Sequence, residues 1–401
     1  MESAKFRNPE AAEESRESLE LLPAAQRSLE HLLTALTAIL LCVGIQMVQS
    51  ASLTSRPSRL DELFLARHLS WLCVAVVAAW CVSRLTAEQL ERHARILFWC
   101  FALLITAVLI PGIGTRINGA QRWIRFAGLS LQPSELGRLI LPMVAAAEVL
   151  RQKRSGGMTF ECIPRTLLPL LLSIPLVAAE PDLGAAVFLT AGFLLALFFA
   201  GWPLRYFVLC GLLLIPAAAG LLVLRPYQLQ RITGFLETWR DPAAAPWQIR
   251  QSLLSLGSGG LQGTGIGRGW QKLSYLPEAN TDFVFAVIGE ELGLAGTLTI
   301  CFVWMIFYFT GRSVLSNQPR STFAWVVGTT LLTQLVLQAM ANIAVAVALV
   351  PPKGVPHPLV SYGGTNLLVS LSAVGLVLGL ARSRVQPECR IGNPGACESA
   401  V

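Results

Sequence analysis

A helical membrane protein with about ten transmembrane spans is the all-α fold class this sequence predicts, and three observations predict it. The chain of 401 residues is 54% hydrophobic and only 14% charged, where a soluble domain carries about 25% charged residues. Its mean hydropathy is +0.58, which is more apolar surface than one water-soluble core can hide. The apolar residues are gathered into successive long runs, each able to sit in lipid as a helix that satisfies its own backbone. This composition excludes a soluble globular enzyme, a disordered chain, a fibrous protein and a small disulfide scaffold.

Residues 1–29 mix Glu with Arg and show no apolar core behind a basic start, so they predict a disordered cytoplasmic tail and not a cleaved signal peptide. Ten candidate spans follow, at roughly 31–51, 68–84, 96–112, 136–150, 165–180, 183–202, 205–224, 283–311, 323–350 and 365–382. The run 136–150 is short for a span of about 20 residues; it must tilt, or sit where protein surrounds its ends. Together these runs form a membrane domain over 30–385, closed by a second cytoplasmic tail at 386–401.

Lys and Arg of the short loops fall mostly on one side, as at Arg84, Arg92, Arg95, Arg151, Lys153, Arg154, Arg205, Arg312, Arg320 and Arg382. That bias predicts both termini inside. Seven crossings then place 225–282 outside, as one large extracytoplasmic loop.

The net charge of +7 comes from Lys and Arg spread along the whole chain. With no dense basic block, it implies no nucleic acid; it suits anionic lipid head groups or a pyrophosphate-bearing substrate, and equally the ordinary basicity of polytopic membrane proteins. None of the nine cysteines falls in a loop assigned outside, so no disulfides are expected. No Cys/His spacing resembles a zinc site, and four scattered histidines offer no dedicated metal site.

Four polar segments carry the candidate chemistry. The Gly-rich stretch 257–269 (GSGGLQGTGIGRG) matches neither nucleotide-loop pattern. It reads either as a turn packed on the membrane surface or as a backbone able to approach a phosphate, with Arg268 and Lys272 to pair with an anion. Next, Asp282 precedes a long apolar helix from Phe283. It can be an N-cap, or a general base held where a lipid-anchored sugar would be presented. The same helix carries small residues at Ala286, Gly289, Gly293 and Gly296, a stripe that allows close packing. Glu290 and Glu291, costly in an apolar run, predict structural pairing.

The segment 118–135 holds NGAQRWI and QPSE. Trp123 suits an interfacial anchor, Arg122 can hold a pyrophosphate, and Glu135 falls in the first turn of the helix that Pro133 or Ser134 begins. Glu180-Pro181-Asp182-Leu183-Gly184 makes a turn between two spans, with two acids in a short link. The Pro-rich loop 351–364 (PPKGVPHPLVSYGG) contains Ser361. Convergence of four sequence-distant polar segments on one side argues for a site more strongly than any one of them.

These motifs, in this order, resemble the SEDS family of cell-wall polymerases (shape, elongation, division and sporulation), over roughly residues 30–385. The likeness runs through 118–135, EPDLG at 180–184, QSLLSLGSGG at 251–260, QKLSYLPEANTDFVFAVIGEELG at 271–293 and KGVPHPLVSYGG at 353–364. The EPDLG, LGSGG and PPKG versions are closer to the division branch than to the elongation branch. The resemblance implies a peptidoglycan glycosyltransferase that polymerises lipid II, with Asp282 as catalytic base. It marks Trp123 and Asp182 as functionally important, and Arg122, Glu135, Arg268, Lys272 and Ser361 join them as candidate substrate contacts. It implies no certain cofactor, a divalent cation (Mg or Mn) being possible in principle, and a class B penicillin-binding protein and other division proteins as partners at the septum. Two departures stand out: Asn280 replaces the family's usual His before TDF, and Arg138 its usual Lys after QPSE. A lipid II flippase is the competing expectation, weakened by the scarcity of charge through the mid-membrane and the lack of an inverted repeat; a pure scaffold needs no such polar clusters.

Overall fold

The structure, a computed structural model, describes residues 9–52, 59–117, 120–126, 129–223, 226–241, 245–272, 275–352 and 354–383. Ten helices coincide with the ten apolar runs: α1 (Pro9–Ser52), α2 (Arg59–Val82), α3 (Ala87–Leu109), α4 (Pro133–Arg154), α5 (Ile163–Ala179), α6 (Leu183–Phe199), α7 (Leu204–Val223), α10 (Val284–Val314), α11 (Phe323–Ala346) and α12 (Gly364–Ala381). The two others, α8 (Pro226–Thr238) and α9 (Trp247–Gly259), lie within the expected large loop. Among the described residues, seven helices are long and apolar enough to cross a membrane, and α6 and α7 contribute shorter apolar stretches. The chain is thus a multi-pass membrane protein.

Local chemistry explains the boundaries. Thr86 and Gln89 form a reciprocal capping box at the start of α3. Pro133 starts α4, with Gln132 as its N-cap residue. The short run 136–150 became a 22-residue helix, mostly buried, packed on α3, α5, α6, α11 and α12. Its modest hydropathy follows from that position: protein, more than lipid, surrounds it.

One expectation needs correction. Residues 9–29, read as disordered, continue α1; their Glu, Arg, Ala and Leu are good helix formers on which the apolar span can propagate. The helical fold class holds, with one small antiparallel sheet added between α3 and α4: β1 (Thr115–Ile117), β2 (Ala120–Phe126) and β3 (Leu129–Leu131) in the order β1-β2-β3. Trp123 pairs with Thr115 and Ile124 with Leu131 across it. Residues 1–8 and 386–401 lie outside the described residues.

Helix α10 breaks at Gly293 (φ 66°, ψ −163°). The Gly-rich stretch fills that break. Thr264 and Gly265 donate their N–H groups to the carbonyls of Glu290 and Glu291 (2.9 and 3.0 Å), while Leu294 and Ala295 donate to Gly260 and Leu261 (2.9 and 3.2 Å). Backbone groups released by the break are therefore paired, as an apolar surrounding demands. The small-residue stripe of α10 serves this contact: a β-carbon on Gly293 would lie 2.4 Å from the Gly263 nitrogen.

Candidate active site

Asp282 does not cap a helix. The N-cap of α10 is Phe283, without a side-chain capping bond. Upstream, Glu278 takes a left-handed conformation (φ 54°), and its carbonyl accepts the N–H groups of Thr281, Asp282 and Phe283 at 3.1, 3.1 and 3.2 Å. This tight turn leaves the Asp282 side chain half-buried. Burial raises its pKa to about 7, helped by the Glu278 carboxylate and opposed by Arg122 and Arg231. A carboxylate that titrates near neutrality can accept a proton at physiological pH.

The other polar segments meet it. Arg122, on β2, pairs with Asp182 at 3.1 Å. Asp182 also accepts the Ala185 N–H at 2.9 Å as the N-cap of α6, and the Gln132 amide at 2.8 Å. Its turn role and its ion pair thus coexist in one side chain. A β-carbon on Gly354 would lie 3.2 Å from Asp282 Oδ2, and one on Gly184 would lie 3.9 Å from the Gly354 carbonyl. The loop after α11 therefore runs beside both the EPDLG turn and Asp282.

Several buried polar atoms in this cluster have no hydrogen-bond partner: Arg122 Nε, Glu135 Oε2 and both oxygens of Glu180; Trp123 Nε1, next on β2, is likewise unpaired. Glu180 is fully buried. Burial, then the neighbouring Asp182, push its pKa up to about 8, which favours the neutral acid at pH 7. Arg138 forks to Gln338 on α11 and Asn366 Oδ1 on α12, the latter at 3.1 Å. The planar guanidinium permits this double contact. No group of three or more His, Cys, Asp and Glu able to hold a metal ion occurs among the described residues.

The remaining candidates sit elsewhere. Lys272 is fully buried and paired with Glu291, and it donates to Ser50 at 2.6 Å; its charge is spent inside the protein and meets no outside anion. Glu290 accepts the N–H groups of Trp270 and Gln271 at 2.6 and 3.0 Å, so both glutamates pair structurally. Arg268 is exposed on the Gly-rich turn docked at the α10 break. Ser361 is buried; it accepts the His357 N–H at 2.8 Å and donates to the Thr281 carbonyl, holding the Asp282 segment in place.

The chain is similar to known proteins over most of its length. Residues 30–386 fit the FtsW/RodA/SpoVE family, described as cell cycle protein. This chain belongs to that family. It is 37% identical over 369 residues to a probable peptidoglycan glycosyltransferase FtsW of Trichlorobacter lovleyi, covering 90% of this chain and 96% of the relative. It is 32% identical over 357 residues to the stage V sporulation protein E of Bacillus subtilis, covering 88% and 96%. Among solved structures, a chain of a peptidoglycan synthase complex that coordinates polymerization and crosslinking aligns with a TM-score of 0.69 at 26% identity, over 87% of this chain and 96% of that one. The rod shape determining protein RodA of Thermus thermophilus aligns with a TM-score of 0.63 at 26% identity, over 88% and 97%.

For this member of the FtsW/RodA/SpoVE family, the structure adds residues that motif reading passed over. Arg231, on α8, acts electrostatically on Asp282 and had no sequence signal. Gln334, Gln338 and Asn342 form an i, i+4, i+8 polar stripe in the apolar helix α11; that spacing was available to sequence reasoning as a sign of a buried polar face.

Proposed function

We propose that this protein is a peptidoglycan glycosyltransferase that polymerises lipid II into β-1,4-linked glycan at the outer face of the bacterial cytoplasmic membrane. The single observation that carries this reading is that the Arg122–Asp182 pair lies within electrostatic range of Asp282, though the segments are far apart in sequence. Family membership supports the same activity, and the relatives named FtsW support a role in septal wall synthesis during division.

In the reaction, the GlcNAc 4-hydroxyl of lipid II attacks the anomeric carbon of MurNAc on the growing chain, which is linked to undecaprenyl pyrophosphate. The new C–O bond forms as the bond to pyrophosphate breaks, with inversion at the anomeric carbon. Asp282 accepts the hydroxyl proton. Arg122, within electrostatic range of Asp282, would meet negative charge on the departing pyrophosphate. Both substrates are held in one bilayer, which lowers the entropic cost of their encounter. The described carboxylates do not form a cation cage; a divalent ion used here would be held mainly by the substrate's pyrophosphate oxygens, as Mg²⁺ commonly is.

A class B penicillin-binding protein is the proposed partner, supported by the structural likeness to a complex coordinating polymerization and crosslinking. The testing experiment incubates the purified full-length protein with labelled lipid II in detergent, with and without its cognate transpeptidase. Glycan product that rises with the partner supports the reading. Absence of polymer under both conditions, with labelled lipid II moved across vesicles, would show a flippase instead.

A further inference from the structure

Asp282 is held by its backbone, and the hold runs back into the apolar core through hydrogen bonds whose directions admit one arrangement. Asn342 on α11 donates its amide N–H groups to the carbonyls of Asp282 (2.7 Å) and Val355 (2.8 Å). Both carbonyls can only accept. The Asn342 amide oxygen must then face the other way, where it meets His357 Nδ1 at 3.1 Å. Across the ring, Trp304 Nε1 lies 2.8 Å from His357 Nε2. An indole N–H can only donate. His357 Nε2 is therefore the acceptor, and Nδ1 carries the proton toward Asn342. Trp304, His357 and Asn342 are all fully buried, so water cannot repair a mismatch.

We infer that His357 is a positioning residue for Asp282: as the neutral Nδ1–H tautomer it fixes the orientation of Asn342, and through it the site of the Asp282 carboxylate. An imidazolium would set a second N–H against the indole donor. The other neutral tautomer would set two acceptors face to face at Asn342. Burial lowers the pKa of this imidazole to about 3, in keeping with a ring that stays neutral. The neighbouring backbone follows the same plan: Tyr362 N donates to the Asn280 carbonyl at 2.8 Å, and Ser361 Oγ donates to that of Thr281. Three successive carbonyls, at residues 280 to 282, thus hang on Asn342 and the loop after α11. Such control matters because a base must come within about 2.6–3.2 Å of its proton, and an error of about 1 Å can cost about a hundredfold in rate.

This inference rests on the reading of Asp282 as the base, and its test separates the two. Purified full-length protein, with its transpeptidase partner, is assayed for lipid II polymerisation as wild type, His357→Leu, His357→Gln, Trp304→Phe and Asp282→Asn. His357→Leu is expected to lower kcat by about ten- to a hundredfold with KM for lipid II nearly unchanged. His357→Gln, whose amide can accept from Trp304 and donate to Asn342, is expected to recover most of that rate. Trp304→Phe keeps the ring packing on Phe307 but removes the donor, and should lower kcat less than His357→Leu. Nitrogen-15 NMR of histidine-labelled protein, with His357→Gln assigning the signal, should report the Nδ1–H tautomer. Wild-type kcat in His357→Leu, equal impairment in His357→Leu and His357→Gln, or an Nε2–H or imidazolium signal each overturns the inference while leaving the base intact. Polymerisation that survives Asp282→Asn overturns the base assignment and the positioning role with it.

Discussion

In the proposed reaction Asp282 is the base, and burial fits it for that by making its charge expensive without forbidding it. With a pKa near 7, it is mostly protonated at pH 6 and mostly ionised at pH 8. Polymerisation rate should therefore climb with pH through about 7 and level off above, in a lipid II assay run across pH 5.5–8.5. Stability moves the opposite way. The folded state binds this proton more tightly than the unfolded chain, so the stabilisation present below the ordinary carboxylate range is lost as pH rises through about 7. Asp282→Asn, always neutral, should melt above wild type at pH 8, with the gap closing toward pH 4. Glu180, favoured as the neutral acid at pH 7, should tolerate Gln with near wild-type activity. Asp182→Asn removes the carboxylate facing Arg122 and should lower the rate by about tenfold or more, a partly buried cation being left unpaired. Sequence motifs and loop topology could name Asp282, Arg122 and Asp182 and set them on one side, but not the Arg122–Asp182 pairing or the approach of Gly354 to Asp282, which nothing local in the chain encodes. Lys272 shows the converse: its place beside a Gly-rich stretch suggested an anion contact, while burial against Glu291, 19 positions on, was set by tertiary packing.

Elements matter where they interrupt one another. The break in α10 and the Gly-rich turn form one unit, because each supplies the hydrogen-bond partners the other lacks. At Gly263 (φ +81°) an added β-carbon would lie 2.2 Å from the Glu291 carbonyl. Gly263→Ala should cost about 1–3 kcal/mol from its backbone conformation alone, with more from the clash, read as a lower melting temperature in detergent. The Lys272–Glu291 pair inside this unit gives a second check. Lys272→Met strands a buried carboxylate and should destabilise by about 3–5 kcal/mol, whereas Lys272→Met with Glu291→Leu should regain much of the loss. Long apolar runs announced the spanning helices, and their hydropathy needed no tertiary information. The three short strands did not announce themselves, since two of them are only three residues long and depend on pairing with β2. The reach of α1 back to Pro9 was hidden by polar composition, which marks solvent exposure and not the absence of a helix.

The whole molecule gathers its polar loops at one place and leaves apolar side chains such as Leu298, Phe302, Met305 and Phe309 exposed along α10, as a lipid-facing helix requires. The proposed topology puts α8, α9 and the Asp282 turn outside. A single cysteine at exposed Trp239, in a cysteine-free background, should react with a membrane-impermeant maleimide in intact spheroplasts; labelling only after lysis would reverse the orientation and remove the site from its substrate. The proposed reaction depends above all on one carboxylate accepting the sugar hydroxyl's proton. The decisive measurement is the lipid II polymerisation rate of folded Asp282→Asn, in complex with the transpeptidase partner. A loss of about 10²–10⁴-fold, with the melting temperature held or raised, is the predicted result; glycan made at the wild-type rate would contradict it.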